Sequence, residues 1–224
     1  MGKLREIFAE LQEVIFERGG VVDAVLPPIL FVVVQALWGF QAAMWSALGV
    51  VVVLGVVRIV QGQNVLYALG GAAGVLLAIG LARLLGGAEN FFLPGLFTSA
   101  LTVFLCLVSV VAKRPLVAWT SFIARRWPRE WYWHPKVRPA YAEVTIFWGL
   151  YFFARFALQW YFFQGGAAER LAWLNLALGW PATVILLVIS YIYGTWRLQN
   201  LGGPSVEEFK QGEDPPWESQ RRGF

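Results

Sequence analysis

Long apolar blocks, separated by short basic or glycine-rich segments, are the feature that most limits what this chain can fold into. Hydrophobic residues make up 58% of the sequence and charged residues 14%, against roughly 25% charged in an average soluble domain. About 20 apolar residues in a helix are enough to cross the hydrocarbon core of a bilayer. Because a backbone in lipid must satisfy its own hydrogen bonds, the pattern predicts an all-α polytopic transmembrane helical bundle.

Six blocks have the composition of membrane spans. The first, Val21 to Gly39, is short because Pro27-Pro28 open its regular part, so it either crosses the membrane or is re-entrant. A turn at Gly39-Phe40-Gln41 leads into the second span. The remaining spans are predicted at about residues 42–57, 65–85, 91–112, 141–164 and 171–196. The last of these carries Gly179-Trp180-Pro181, which predicts a kink.

The other segments divide the chain further. Residues 1–20 predict an amphipathic helix lying at the membrane interface, and residues 21–197 form the six-span domain with one substantial loop at 113–139. Residues 198–224 are polar and rich in proline and glycine, which predicts a flexible cytoplasmic tail. Within the third span, Gly70 and Gly74 are four residues apart, and this spacing predicts the close approach of another helix.

The distribution of basic residues sets the orientation. With six spans and both termini in the cytoplasm, 15 of the 18 lysines and arginines fall on the cytoplasmic side. Arg83 and Arg170 then lie outside, and Arg155 lies within the membrane. Cytoplasmic loops of membrane proteins carry an excess of lysine and arginine, so this topology is the one that the sequence favours.

The loop at residues 113–139 interleaves basic side chains with four tryptophans. That mixture is typical of single-stranded nucleic-acid binding and also of the lipid headgroup layer. Because two spans flank the loop, we expect contact with the lipid bilayer and no nucleic acid, with a short interfacial helix that begins near Leu116 and ends before Pro128. The expected contacts with anionic lipid headgroups are Lys113, Arg114, Arg125, Arg126 and Arg129.

Polar side chains inside the predicted spans form a candidate intramembrane site. Arg155 and Gln159 lie four residues apart on one helical face, and a charge in hydrocarbon costs at least a few kcal/mol, so it has a partner or a function. Arg155 is either tied structurally to carbonyls or a carboxylate, or it contacts an anion in a polar cavity. The full candidate site is Arg155, Gln159, Asp23, Asn175 and Glu89.

Recognisable catalytic machinery is not evident in the sequence. The chain has one cysteine and one histidine, too few for a zinc or haem signature. It shows no nucleophile–base group, carboxylate pair or phosphate-binding glycine loop. We therefore expect no enzyme activity, no cofactor and no metal site.

Several stretches resemble a known family. GGVVDAVLPPILF, ALGG, ENFFLPGLFTSA, VAKRPL and ARFALQ together resemble an uncharacterised bacterial membrane family, domain of unknown function 3159. More distantly, the order of features resembles the intracellular septation protein A family, from which this chain departs in its longer tryptophan-rich loop and in Arg155. The resemblance implies a bacterial plasma-membrane protein linked to the cell envelope and no known reaction.

Two functional hypotheses follow. The first is a non-enzymatic plasma-membrane protein that acts in envelope organisation through contacts with lipid or with protein, either a membrane-protein partner or a second copy of the chain. The second is a small transporter or channel with a polar intramembrane site around Arg155 and Gln159.

Overall fold

The computed structural model describes residues 20–60, 65–221 and 223–224 of the chain. Within these residues the secondary structure is helical, with no strand. The helix predicted for residues 1–20 lies outside the described residues except for its last position. The chain divides into two compact units, one formed by residues up to 96 together with 158–182 and the other by residues 97–157 and 183–224.

Nine α-helices and one short 3-10 helix follow one another in the described residues. In chain order they are α1 (Gly20–Val60), α2 (Val65–Leu85), the 3-10 helix (Ala88–Phe92), α3 (Leu93–Val111), α4 (Leu116–Arg125), α5 (Arg129–Tyr132), α6 (Arg138–Gln164), α7 (Ala168–Ala177), α8 (Trp180–Leu201) and α9 (Val206–Gln211).

The predicted breaks in the apolar blocks coincide with backbone features. Gly39 interrupts α1 with a non-helical conformation, φ 81° and ψ 176°, which glycine adopts without a steric penalty. The interruption falls where the sequence predicts a turn between the first two spans. The predicted kink at Gly179 is also present, because α7 ends at Ala177 and α8 begins at Trp180.

Two helical stretches in the described residues are long and apolar enough to cross a membrane, by length and composition: Glu89–Val111 and Ala168–Leu201. Shorter apolar helices cover Gln41–Val57, Leu76–Leu85 and Leu116–Arg125. α6 has 27 residues and sufficient length, but Glu143, Arg155 and its tyrosines and tryptophans lower its mean hydropathy. The structure therefore indicates membrane association through two helices, and the six-span arrangement is taken up below as a proposal.

The first unit is built around α1. This helix packs against α2 and α7, and the 3-10 helix packs against α2 and α7 as well. Ala43 of α1 and Ala172 of α7 are buried together, with Phe91 and Phe92 of the 3-10 helix packed against them. In α2, an added Cβ at Gly74 would meet nothing within 4 Å, so the close helix contact predicted for this glycine is absent from the described residues.

The second unit has its core in the predicted loop. Its buried residues are Val117, Ala118, Trp131, Tyr132, Val137, Ala140, Tyr141, Val144, Leu198 and Val206. Trp131 is 0% exposed, so this tryptophan packs inside the protein and presents no surface to a headgroup layer. The reason is that the loop folds into α4 and α5, which pack on the start of α6 and the end of α8.

Hydrogen bonds fix α4, α6 and α8 to one another. The Val117 N–H donates to the Thr145 hydroxyl at 3.2 Å, which joins the start of α4 to α6. The Trp148 indole donates to the Ser190 hydroxyl at 2.8 Å, which joins α6 to α8. Since buried polar groups are costly unless they are paired, these bonds set the register of the three helices.

The segment after α8 is packed in the structure and not flexible as predicted. Ser205 and Glu208 form a reciprocal capping box that starts α9, which satisfies two backbone N–H groups that would otherwise lack an acceptor. Val206 and Glu208 are buried, and Phe209 and Phe224 pack against the core. A proline- and glycine-rich composition suggested flexibility, but the few apolar side chains in this segment provide enough contacts for it to pack. We call residues 113–139 and 202–224 together the aromatic platform.

Replacing Trp131 tests whether the aromatic platform is a folded core. The Trp131 indole N–H donates to the Pro204 carbonyl at 2.8 Å, and Trp131→Phe leaves this buried acceptor without its donor, at a cost of about 1–3 kcal/mol. We expect the melting temperature of the detergent-solubilised protein to fall by several degrees. Trp119→Phe is the matched control, because Trp119 is 37% exposed; an equal fall in both variants would contradict the assignment.

Candidate functional site

The outer face of α4 carries exposed apolar side chains next to basic ones. Val117, Ala118 and Ser121 point into the core, whereas Trp119 is 37% exposed and Ile123 is 71% exposed. The exposed residues are four apart, which places them on one helical face. α4 is therefore an amphipathic helix with its inner face fixed by protein and its outer face free to contact another phase.

The five basic residues predicted to contact lipid fall into two classes. Lys113, Arg126 and Arg129 are exposed. The Arg114 guanidinium lies 4.4 Å from the centroid of the Trp133 ring, a cation–π distance, although the residue is itself exposed. Arg125 is partly buried and contacts other residues of the aromatic platform, so its side chain does not belong to the outer face of α4.

Arg125 belongs to a pocket that Phe224 fills. The Phe224 ring stacks on the Tyr141 ring, with centroids 4.3 Å apart and 9° between planes. The ring also lies against Gly194 of α8, where an added Cβ would overlap it. Arg125 Nε donates to the Phe224 main-chain oxygen at 3.1 Å, and its guanidinium lies 5.1 Å from the Trp127 ring. Sequence reasoning missed this pocket, because aromatic residues at either end of it are far apart in the chain.

A second group of contacts holds the middle of the segment. The Lys136 ammonium lies 5.3 Å from the Trp217 ring, and the edge of the His134 ring meets Trp217 at 5.4 Å between centroids and Phe209 at 6.4 Å. Gly203 lies against the Lys136 backbone, where a Cβ would come within 2.8 Å of the carbonyl oxygen. Residues 134–136 therefore form the surface on which residues 203–217 rest.

An ion pair joins α6 to α8 near the platform. Arg197 donates to the two Glu143 carboxylate oxygens, from Nε at 2.7 Å and from Nη2 at 2.8 Å, and the Tyr193 hydroxyl donates to the same carboxylate at 2.8 Å. The side chains are about a third exposed, so the pair orients the helices more than it stabilises them. This ion pair could have been predicted from the sequence, because both residues are predicted at the cytoplasmic ends of neighbouring spans.

In the first unit the structure brings together two of the predicted intramembrane residues. Gln159 Nε2 donates to Asn175 Oδ1 at 2.7 Å, and Asn175 Nδ2 donates to the Leu171 carbonyl at 2.8 Å. The Leu171 carbonyl fixes which way Asn175 points, and Asn175 in turn requires the NH2 group of Gln159 to face it. Gly95 adjoins the pair, since its added Cβ would lie 3.7 Å from Asn175 Oδ1.

The other predicted site residues are Arg155, Glu89 and Asp23. Arg155 is on α6 in the second unit and is hydrogen-bonded to Tyr151, one turn earlier, which is the direction in which helical side chains lean. Glu89 is in the first turn of the 3-10 helix, and its carboxylate lies over Gly87. Asp23 belongs to α1, and its side chain lies outside the described part of the structure. Across the described part of the chain, no three His, Cys, Asp or Glu side chains are grouped to hold a metal ion.

Leucine substitutions test the amide pair of Gln159 and Asn175. Asn175→Leu removes the partner of a Gln159 side chain that is only 1% exposed, and leaving a buried polar group unpaired costs about 1–3 kcal/mol. Replacing both residues by leucine removes the unpaired group, so the double variant should melt at a higher temperature than Asn175→Leu alone. A double variant less stable than the single one would show that the pair is not isolated in an apolar environment.

Two titratable groups make packing of the platform depend on pH. Burial, followed by the charge of Lys136, lowers the pKa of His134. Burial acts to raise the pKa of Glu208, but N–H groups of Glu218 and Ser205 donate to its carboxylate and hold the pKa below its ordinary value. For both groups the packed state binds protons less readily than the released state, so packing loses stability as the pH falls.

Acidification should therefore loosen residues 205–221. The contribution of His134 is complete above the ordinary histidine pKa of about 6.5 and is lost as the pH falls through that value, while the contribution of Glu208 is lost at lower pH. Hydrogen–deuterium exchange of this segment, corrected for intrinsic rates, should show less protection at pH 5.5 than at pH 7.5. His134→Phe keeps a ring but cannot be protonated, so it should reduce the difference; an unchanged difference would rule out His134 as its source.

Comparison with known proteins gives one match. No curated protein and no solved structure matches the chain. A family model described as "Protein of unknown function (DUF3159)" matches residues 18–198, which include the amide pair and the whole of the aromatic platform's first segment. Because this match covers well over half of the chain, the protein belongs to the DUF3159 family.

Proposed function

We propose that this protein is a non-enzymatic, six-span integral protein of the bacterial plasma membrane, with both termini in the cytoplasm. It acts in organisation of the cell envelope by binding anionic lipid at its cytoplasmic surface. The observation that carries the proposal is the outer face of α4, where exposed Trp119 and Ile123 lie between exposed Lys113 and Arg126.

The helix before α4 supports the membrane location of this face. Glu89–Val111 is apolar enough to span, and Phe97, Phe104 and Leu107 on it are exposed large apolar side chains. Monomeric soluble proteins rarely expose such contiguous apolar surface, whereas lipid covers it at no cost. α4 begins at Leu116, five residues after this helix ends, so the outer face of α4 falls at the level of the headgroups.

The chemistry of the α4 face suits an anionic lipid. Tryptophan is enriched at the membrane–water boundary, and Ile123 adds apolar area that a headgroup layer accepts. A basic residue close to an anionic surface contributes about 1 kcal/mol of binding. The guanidinium groups of Arg126 and Arg129 can each form paired hydrogen bonds to a phosphate, which a lysine ammonium cannot do.

Charge removal on this face tests the proposal. Arg126→Gln with Arg129→Gln removes two exposed positive charges, and at about 1 kcal/mol each the affinity for phosphatidylglycerol should fall about thirty-fold. Affinity is measured on the detergent-solubilised protein from the rise in melting temperature with added lipid, because a ligand that binds the folded state stabilises it. Native mass spectrometry of retained lipid provides an independent count.

The control is Lys210→Gln with Arg221→Gln. It removes the same charge from two exposed residues of the 202–224 segment, and each pair includes one arginine in an exposed ion pair at 3.6 Å, Arg129 with Glu130 and Arg221 with Glu218. We expect little change in the control. An equal loss in both pairs, or equal binding of phosphatidylcholine and phosphatidylglycerol by the unaltered protein, would contradict the proposal.

A further inference from the structure

The pocket beneath Phe224 has the shape of a slot for a flat or chain-like apolar group. One wall is the Tyr141 ring, which is fully buried and parallel to the Phe224 ring within 9°. The other is Gly194, where any larger residue would overlap the ring. Glycine inside a helix costs roughly 0.5–1 kcal/mol relative to alanine, and at this position it leaves the space that the ring occupies.

The mouth of the slot holds a positively charged group suited to an oxyanion. Arg125 Nε donates to the Phe224 main-chain oxygen at 3.1 Å, and stacking on Trp127 holds the guanidinium in place. Gly223 has φ of 79°, and its Cβ would lie 2.9 Å from Arg125 Nη1. The 202–224 segment thus brings its backbone to the guanidinium through a conformation that only glycine adopts readily.

The part of the segment that lies between Phe209 and Trp217 makes few contacts. Residues 210–216 are exposed, and Gly202, at the start of the segment, has a positive φ, which glycine permits at a hinge. Segments with few buried apolar contacts open at a lower free energy than the whole protein unfolds. Release of this end of the segment would expose Arg125 next to Arg126, which is already exposed.

We propose that this slot is a binding site for the phosphate of an anionic phospholipid, with Arg125 contacting the phosphate and Tyr141 contacting the glycerol or acyl region, and that residues 219–224 are its intramolecular competitor. This inference rests on the proposed function, because it names a second lipid site that the outer face of α4 does not include. A guanidinium binds two phosphate oxygens at once. The phosphate and the Phe224 main-chain oxygen would bind the same guanidinium, so lipid and segment exclude each other.

The test changes the segment and leaves the slot intact. Phe224→Ala removes the ring, and Gly223→Ala strains the backbone against Arg125. If the slot is open about a tenth of the time in the unaltered protein, each variant should raise the affinity for phosphatidylglycerol by about ten-fold. Gly212→Ala is the matched control, because it also places alanine at a positive φ but has nothing within 4 Å of its Cβ. Hydrogen–deuterium exchange at residues 219–221 confirms release separately.

Substitution of Arg125 distinguishes lipid bound in this slot from lipid bound elsewhere on the surface. Arg125→Lys keeps the charge but loses the paired geometry, and in combination with Phe224→Ala it should cancel the gain in affinity. A released segment with no gain in phosphatidylglycerol affinity would overturn the slot while leaving the proposed function standing. Absence of any preference for phosphatidylglycerol over phosphatidylcholine, in every variant, would overturn the proposed function itself. Inorganic phosphate that stabilises Phe224→Ala as strongly as the lipid does would overturn a lipid ligand in favour of a soluble one.

Discussion

The hydrogen bond from the Trp131 indole to the Pro204 carbonyl, 2.8 Å long and fully buried, joins two segments separated by 73 residues. α5, on which Trp131 lies, is four residues long, and an isolated helix of that length has no stability in water. Its geometry therefore comes from packing, and the rings of Tyr132, Trp127 and Tyr141 meet Trp131 edge to face within about 6 Å, an arrangement favoured for aromatic pairs. This bond and the contacts of Arg125 with Phe224 and of Lys136 with Trp217 join the two segments to each other.

This anchoring explains how one short helix acquires two different faces. The inner face of α4 is held by the core, so Trp119 and Ile123 are presented outward in a fixed orientation. Arg125 and Arg126 are consecutive, yet they are divided between the two environments, because α4 ends there in a left-handed residue, Arg126, with φ of 54°. One cation is engaged by the 202–224 segment and its neighbour is exposed. The proposed lipid contacts and the proposed competitor both depend on this division.

Local patterns in the sequence predicted the helices better than the contacts between them. α2 begins and ends where the third block does, and the interruptions at Gly39 and Gly179 follow from residues with unusual backbone preferences. The sequence allows the pairing of Gln159 with Asn175 to be predicted, since both are polar residues in apolar helices. What the sequence could not provide was the partner of each aromatic residue. Trp119 and Trp131 look equivalent as tryptophans in a basic loop, and it is the contacts with Pro204, Trp127 and Tyr141 that separate the buried one from the exposed one.

The average composition of residues 202–224 predicts a flexible segment, whereas the structure shows a packed one. Prolines, glycines and charges dominate the average, whereas the structure depends on Phe209, Trp217, Phe224 and the Ser205–Glu208 cap. Residues far away in the chain also determine which charged side chains are paired. In the sequence, Arg197 contributes only to the charge balance that sets the orientation, yet it forms the bidentate pair with Glu143. An average over a segment cannot report such pairs, because each depends on one residue far away in the chain.

Direct cross-linking of the two segments tests the central claim, that they fold together on one side of the membrane. In a Cys106→Ser background, Lys136→Cys and Gly203→Cys bring two thiols together. A Cβ added at Gly203 would lie 3.0 Å from the Lys136 Cβ, so a shift of less than 1 Å reaches the roughly 3.8 Å of a disulfide. In isolated membranes under mild oxidation, mass spectrometry should find both thiols protected from alkylation. Lys136→Cys with Arg170→Cys, on opposite sides in the six-span topology, should stay reactive. Free thiols in the first pair, or equal protection in both, would contradict the account.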